Sequence, residues 1–344
     1  MIVGRKSYYI YKMANTLFQN ALIKQRQNVP PIWFMRQAGR YHSHYQNLKE
    51  KYTFEQLCKS PELAAEVAFG PINEFDFDVA ILFSDILFVL EGLGLKLKFD
   101  PGPKFNSYIS TENFKDYNNI EKAIEHLKFQ SDAIKLTKEK IPNSKSLIGF
   151  VGGPWTLIRY AFGKDNLNAE NNAVYFEFLT TTLVPLLKKN IKLQLDAGAE
   201  IVMIFDSWLY DLENRDFKEI YITLLEDISS TFPNKVGYYS KGKQESEIIP
   251  CMKYPFAGFG FDKSINLANI FKNSKHGFVQ GNFDENFMLL DTDQFTEKLK
   301  IYIDFMKSIE NKDGWVCGLG HGINKETTEK NVHLFIENIR KEFS

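Results

Sequence analysis

Short apolar runs of strand length alternate with helical patterns about eight times along the 344 residues. Most of these runs are continuously apolar rather than alternating, and no composition break or linker divides the chain. Together these observations predict an α/β fold, a single-domain (β/α)8 TIM barrel. Continuously apolar strands belong to a parallel sheet buried on both faces, and eight βα units close a barrel that usually needs roughly 250 residues or more. The expected layout is an N-terminal tail over 1–14, a candidate for disorder, followed by one barrel domain over 15–344.

The elements follow in order. Apolar residues at Leu17, Phe18, Ala21, Leu22 and Ile23 give helix spacing over 15–27. Pro30 and Pro31 stop that pattern, and Ile32, Trp33 and Phe34 read as a short buried strand. Ser60, Pro61 and Glu62 form a helix start, with a cap, a proline at the first helical position and an early acid, opening a helix to about residue 75. Further strands are expected over 79–83, 147–151, 201–205, 236–239, 256–261, 277–280 and 315–317. Helices are expected over 120–138, 155–162, 169–197, 217–230, 265–271, 295–309 and 327–342, and Pro101, Gly102 and Pro103 mark a turn.

Composition excludes several classes. Charged residues are 25%, hydrophobic residues 44% and the net charge is -1, an ordinary globular balance without the basic face that nucleic-acid binding needs. Cys58, Cys251 and Cys317 are few, odd in number and far apart, which indicates neither a disulfide framework nor a cysteine zinc site and fits a reducing cytoplasm. No apolar run reaches the ~20 residues that span a bilayer, and the first dozen residues make a poor signal peptide.

Residue types that do chemistry sit just beyond the expected strand ends: Arg36, Asp85, Ser207, Lys241, Asp262, Asn282 and His321. In a barrel these positions share one rim, where active sites are built, although polar loops alone give a similar pattern. The stretch 31–41, PIWFMRQAGRY, delivers Arg36 and Arg40 at the end of an apolar strand. It reads either as an anion clamp or as a loop tied down by salt bridges. Arg36 and Asp85 are flanked by apolar residues, which suggests partial burial. His42 and His44 have no evident third ligand and read as solvated loop residues.

PIWFMRQAGRY, FSDIL at 83–87, PWTLIRY at 154–160, FDSW at 205–208, QGN at 280–282 and GLGHG at 318–322 resemble, in order, the uroporphyrinogen decarboxylase family from about residue 31 to the C-terminus. The resemblance implies a (β/α)8 barrel, usually a homodimer, that removes four acetate carboxyls from a tetrapyrrole without a cofactor. It implies that Arg36, Arg40 and Gln37 hold substrate carboxylates and that Asp85 accepts the pyrrole N–H groups. Tyr160, Ser207 and His321 match carboxylate-contacting positions, with Tyr160 also near the reacting acetate. Asp85, Arg36 and Tyr160 would then carry the catalysis. Protonating a pyrrole carbon turns that ring into its own electron sink, and an arginine, Asp85 or a bound water could supply the proton.

Other readings stand beside this one. Tyr160 could be packed core, Ser207 a cap and His321 structural, and GLGHG is only loosely a phosphate loop. A related cobamide-dependent methyltransferase barrel would hold zinc through a His-x-Cys pair, where this chain has Tyr239, Ser240 and Lys241. A tetrapyrrole-binding protein without activity would keep the clamp and lose the reaction. The chain departs from the family pattern at Lys263 in place of tryptophan, at Glu285 in place of proline and at Leu90 in place of proline.

Overall fold

The computed structural model describes residues 14–163 and 165–344, so the tail expected over 1–14 lies, but for Ala14, outside the described residues. The described strands are β1 Val79–Ile81, β2 Leu97–Phe99, β3 Pro103–Phe105, β4 Ser146–Gly152, β5 Val202–Asp206, β6 Val236–Ser240, β7 Gly258–Phe261, β8 Phe278–Phe283 and β9 Trp315–Leu319. Seven of them form one sheet in the order β1-β4-β5-β6-β7-β8-β9, every pair parallel. The other two, β2 and β3, make a separate antiparallel hairpin around the Pro101–Gly102 turn, which the sequence marked as a turn without revealing its strands.

The run expected as a first strand contributes less ladder than its composition suggested. Ile32 makes a single parallel bridge to Cys317 of β9. On that side the Trp33 N–H donates to the Cys317 carbonyl at 3.0 Å and the Cys317 N–H donates to the Pro31 carbonyl at 2.9 Å. On the other side the Asp78 N–H, just before β1, donates to the Ile32 carbonyl at 3.1 Å, while the Ile32 N–H donates to Asp78 Oδ2 at 2.8 Å. The segment thus bonds to both edges of the sheet. Pro30 and Pro31 have no N–H to give a ladder, and the chain turns away after Met35.

Two cores follow from alternation along the strands. Val79, Ile81, Ile148, Ile201, Met203, Phe205, Tyr239, Phe278 and Val316 pack on one face of the sheet with Trp33 and Met35. A larger cluster fills the space between the sheet and the helices. Glycines make room where rings crowd the inner face: a Cβ on Gly237 would stand 2.3 Å from Met203 Sδ, and one on Gly258 2.3 Å from the Phe278 ring. The helix Thr16–Leu22 adds Phe18 and Ala21 to the inner core from the N-terminal end of the strands. It is shorter than expected over 15–27. Asn15 caps it by accepting from Phe18 N–H and ties it to Ser146 and Asp78.

The long helix expected over 169–197 is present without interruption but changes winding, with a tight turn Ala169–Asn171, then Asn172–Phe178, a wide turn Leu179–Leu183 and Val184–Ala197. Pro185 cannot donate back along the helix, and the Thr180 and Thr181 hydroxyls bond instead to carbonyls at Phe176 and Glu177. The expectation for His42 is corrected: its ring is buried against Phe75 and Tyr41, and burial lowers its pKa. Imidazole has an apolar body, and the adjoining helix Pro61–Phe75 presents an aromatic wall to it. His44 is half-buried, its Nε2 3.3 Å from Glu66 Oε1.

Candidate active site

In a parallel sheet the carboxyl ends of all strands lie on one side, and residues two apart face the same way. Ser207 extends the inward row of Met203 and Phe205, and Lys241 the row of Gly237 and Tyr239. Both therefore continue the inner face past its last apolar layer, while Asp85 sits in the loop four residues past the end of β1.

The loop after Ile32 and Trp33 sets the position of Arg36. Arg36 has φ +62°, a left-handed conformation that costs a non-glycine residue on the order of 1 kcal/mol. The surroundings hold it there. Gln37 is buried, with Oε1 accepting from the Phe34 N–H at 3.2 Å and Nε2 donating to the Val79 carbonyl at 2.8 Å. The Met35 carbonyl accepts from the Ile323 N–H at 3.0 Å. The Arg36 stem lies against Gly322, where a Cβ would stand 2.5 Å from Arg36 Cδ. The sequence suggested partial burial, but Arg36 is exposed at the mouth because the left-handed turn swings it out. The Gln37 amide is engaged at both ends with backbone, so it braces the arginine. Arg40 is also exposed, and its charge acts on Tyr45.

Asp85 follows β1. Its Oδ1 accepts from the Leu87 N–H at 2.9 Å. Burial raises its pKa to about 6, against the opposing pull of that N–H and of the Arg36 charge. Behind it an amide chain fixes the strand end: Gln130 Nε2 donates to Ser84 Oγ at 3.0 Å, and Gln194 Nε2 donates to Gln130 Oε1 at 3.3 Å and to the Phe150 carbonyl at 2.9 Å. Nothing in residue spacing revealed these partners, because Gln130 lies 46 positions from Ser84 and Gln194 64 positions from Gln130.

Across the mouth, His321 stacks on Tyr239 with ring centroids 6.1 Å apart, and its Nδ1 lies 3.1 Å from the tyrosine hydroxyl, which also donates to the Gly320 carbonyl at 2.9 Å. Burial, then the charges of Lys241 and Arg36, lower the His321 pKa to about 4. It is a neutral hydrogen-bonding group at ordinary pH. Tyr160, half-buried on the helix Pro154–Phe162, packs edge-on to Trp208 at 6.5 Å. Its hydroxyl is within the electrostatic influence of both Asp85 and Arg36. Arg36, Asp85, Tyr160 and His321 are thus brought together by the fold.

Beside Ser207 lies a group whose importance the sequence did not disclose. Asp206 is fully buried, with Oδ1 accepting from the Thr156 N–H and hydroxyl at 3.0 and 2.7 Å and Oδ2 accepting from the Tyr221 and Tyr238 hydroxyls. It ties β5 and β6 to the start of the helix Pro154–Phe162. Gly153 is part of the arrangement, since a Cβ there would strike the Asp206 carboxyl. The polar residue inside the apolar run 201–206 was the available signal. Asn282 lies within β8 rather than beyond it, and its Nδ2 donates to the Asp262 and Ile265 carbonyls.

A family profile described as Uroporphyrinogen decarboxylase (URO-D) matches residues 13–342. The chain belongs to the uroporphyrinogen decarboxylase family. It is 34% identical to a protein named Uroporphyrinogen decarboxylase from Orientia tsutsugamushi (strain Ikeda), over 93% of this chain and 96% of that one. It is 33% identical to one of the same name from Helicobacter hepaticus, over 94% of this chain and 98% of that one. Among solved structures, a methyltransferase from Methanosarcina mazei superposes with TM-score 0.79 at 16% identity over 96% of this chain and 98% of that chain, a likeness of fold.

Against the uroporphyrinogen decarboxylase pattern, two of the departures prove to be neighbours. Lys263 Nζ lies 2.9 and 3.0 Å from the two Asp284 oxygens and 3.8 Å from Glu285 Oε1. The lysine at one position is thus matched by acid at the other, at the ends of β7 and β8. Leu90 is buried in the helix Phe88–Gly92, and its N–H donates to the Leu87 carbonyl at 2.9 Å, a bond proline could not make.

Proposed function

We propose that this chain is a uroporphyrinogen decarboxylase whose active site is the mouth formed by Arg36, Asp85, Tyr160, Ser207 and His321. The reaction converts uroporphyrinogen III to coproporphyrinogen III, releasing four molecules of carbon dioxide. The observation that carries the reading is a half-buried carboxylate, Asp85, set opposite an exposed cation, Arg36, within one polar mouth. A ring of four pyrroles presents N–H donors on one face and carboxylates around its edge, so it needs a central acceptor and peripheral cations. Asp85 is the acceptor, and Arg36 and Arg40 grip carboxylates. Ser207, Tyr160 and neutral His321 add hydrogen bonds, and Gln37 serves by bracing Arg36.

Protonation at a pyrrole carbon beside the acetate makes that ring cationic. The C–C bond to the carboxylate then breaks with its electron pair flowing into the ring, carbon dioxide departs, and the exocyclic methylene left behind takes up a proton to become the methyl group as the ring carbon gives up its own. Asp85 stabilises the cationic intermediate, and a low-dielectric surround strengthens that interaction. No external electron sink is required for this chemistry.

Several finer readings accompany the assignment. The sheet is a closed (β/α)8 barrel over 15–344, a reading supported by the bonds of Ile32 to both β9 and the start of β1. Two chains pair as a homodimer, and the enzyme works in the cytoplasm. Three buried thiols and the lack, among the described residues, of a helix long and apolar enough to cross a membrane agree with that setting.

The test is anaerobic incubation of purified protein with reduced uroporphyrinogen, then oxidation and chromatography. The expected result is a ladder of seven-, six-, five- and four-carboxyl porphyrins with no added cofactor. Recovery of only the eight-carboxyl compound would overturn the assignment.

A further inference from the structure

We propose that Lys241 is a further carboxylate-binding residue of this mouth, holding one acid group of the substrate beside His321. The inference deepens the decarboxylase reading and rests on it.

Lys241 stands one residue beyond β6, next in the inward row after Gly237 and Tyr239. That row's direction is fixed independently. A Cβ on Gly237 would meet Met203 and Phe278 of the inner core, and Tyr239 is buried in the same cluster. The register pairs Asp206 with Ser240 and Ser240 with Phe261, so the next step sets Lys241 between Ser207 and Asp262.

Its backbone is held on both sides. The Lys241 N–H donates to the Asp206 carbonyl at 3.2 Å, and the following Gly242 N–H donates to Asp262 Oδ2 at 3.0 Å. Asp262, the nearest acid by register, is otherwise engaged: its Oδ1 accepts from the Ser264 N–H and hydroxyl. Among the described residues the Lys241 ammonium has no hydrogen bond or ion pair. Lys263, the other lysine of this rim, is matched by Asp284. Lys241 is half-buried, and its charge acts on His321 more strongly than that of Arg36. A half-buried lysine with no acid paired to it offers a charge for an anion, and the substrate carries eight. A carboxylate bridging Lys241 and His321 would satisfy both, at the wall of the mouth opposite β1.

The variants Lys241→Met, which keeps the stem without the charge, and Lys241→Arg, which keeps the charge, decide the matter. KM and kcat are measured anaerobically with uroporphyrinogen, and binding of oxidised uroporphyrin is followed separately by quenching of tryptophan fluorescence. The expected result for Lys241→Met is a rise of about tenfold or more in KM and in the uroporphyrin dissociation constant, with kcat changed less than about threefold. Lys241→Arg should recover most of both. Unchanged binding in Lys241→Met, or equal losses in both variants, would overturn the proposal in favour of loop packing. If wild type binds uroporphyrin but forms no product, the decarboxylase reading fails, while weaker binding by Lys241→Met would still support Lys241 as a carboxylate site.

Discussion

Replacing Asp85 by asparagine should make the protein more stable and leave it nearly inactive. The carboxyl titrates near pH 6 rather than at its ordinary 3.8. With each pH unit worth about 1.4 kcal/mol, holding the ionised form at neutral pH costs the folded state at most about 3 kcal/mol, and nearer 1–2 once screening through the open mouth is allowed for. The sign follows from proton binding. Between pH 3.8 and about 6 the folded chain keeps a proton that the unfolded chain has released, so this group's contribution to stability falls as pH rises through that window and stays low above it. Asparagine escapes this penalty and can still accept from the Leu87 N–H. Urea unfolding of both proteins at pH 5 and 7.5 should therefore show a variant advantage that grows with pH. His321 acts in the opposite direction over a similar range, which is why the difference between the two proteins is the quantity to follow. In the anaerobic assay kcat/KM should fall at least about 100-fold, the scale seen when transition-state charge loses its partner. An asparagine variant that is less stable at pH 7.5, or that keeps more than a tenth of wild-type activity, would refute the reasoning.

Other outcomes are expected from the same geometry. Gly322→Ala should dislodge the Arg36 stem and lower kcat/KM about tenfold while moving the melting temperature by no more than a few degrees; thermal melts and substrate titrations check both halves. His321, neutral above about pH 4, should add no step of its own to the pH–rate profile beside that of Asp85 near 6, so His321→Gln should lower activity without reshaping that profile. Because its pKa is held below the unfolded 6.5, His321 adds stability at neutral pH that is lost as pH falls from 6.5 towards 4. Asp206→Ala should cost about 3 kcal/mol or more in urea unfolding, since it strands the Thr156, Tyr221 and Tyr238 donors in the core.

The parts of the molecule that sequence displayed are those where one residue's type carries its role. Continuous apolar runs named the strands, and Arg36, Asp85 and His321 declared themselves as polar residues at their ends. What escaped depends on partners remote in the chain. Gln37 reads as a carboxylate-binding amide until Val79 is known to stand beside it, and Asp206 only as the polar end of an apolar run until two tyrosines from elsewhere close over it. His42 looked solvated because its neighbours in sequence are polar, whereas its neighbour in space is Phe75. The wide turn within the long helix was within reach, since Pro185 and a run of threonines are visible in the letters.

The salt bridge from Lys263 to Asp284 and Glu285 has a consequence for recombination between relatives. The ends of β7 and β8 behave as one cassette: a chimera that takes the β7 loop from one parent and the β8 loop from another would set a lone lysine or a pair of unmatched acids at these strand ends. Crossover points belong before β7 or after the turn Glu285–Leu289, and engineering that respects this boundary should preserve substrate affinity where a cut between the two strands would not.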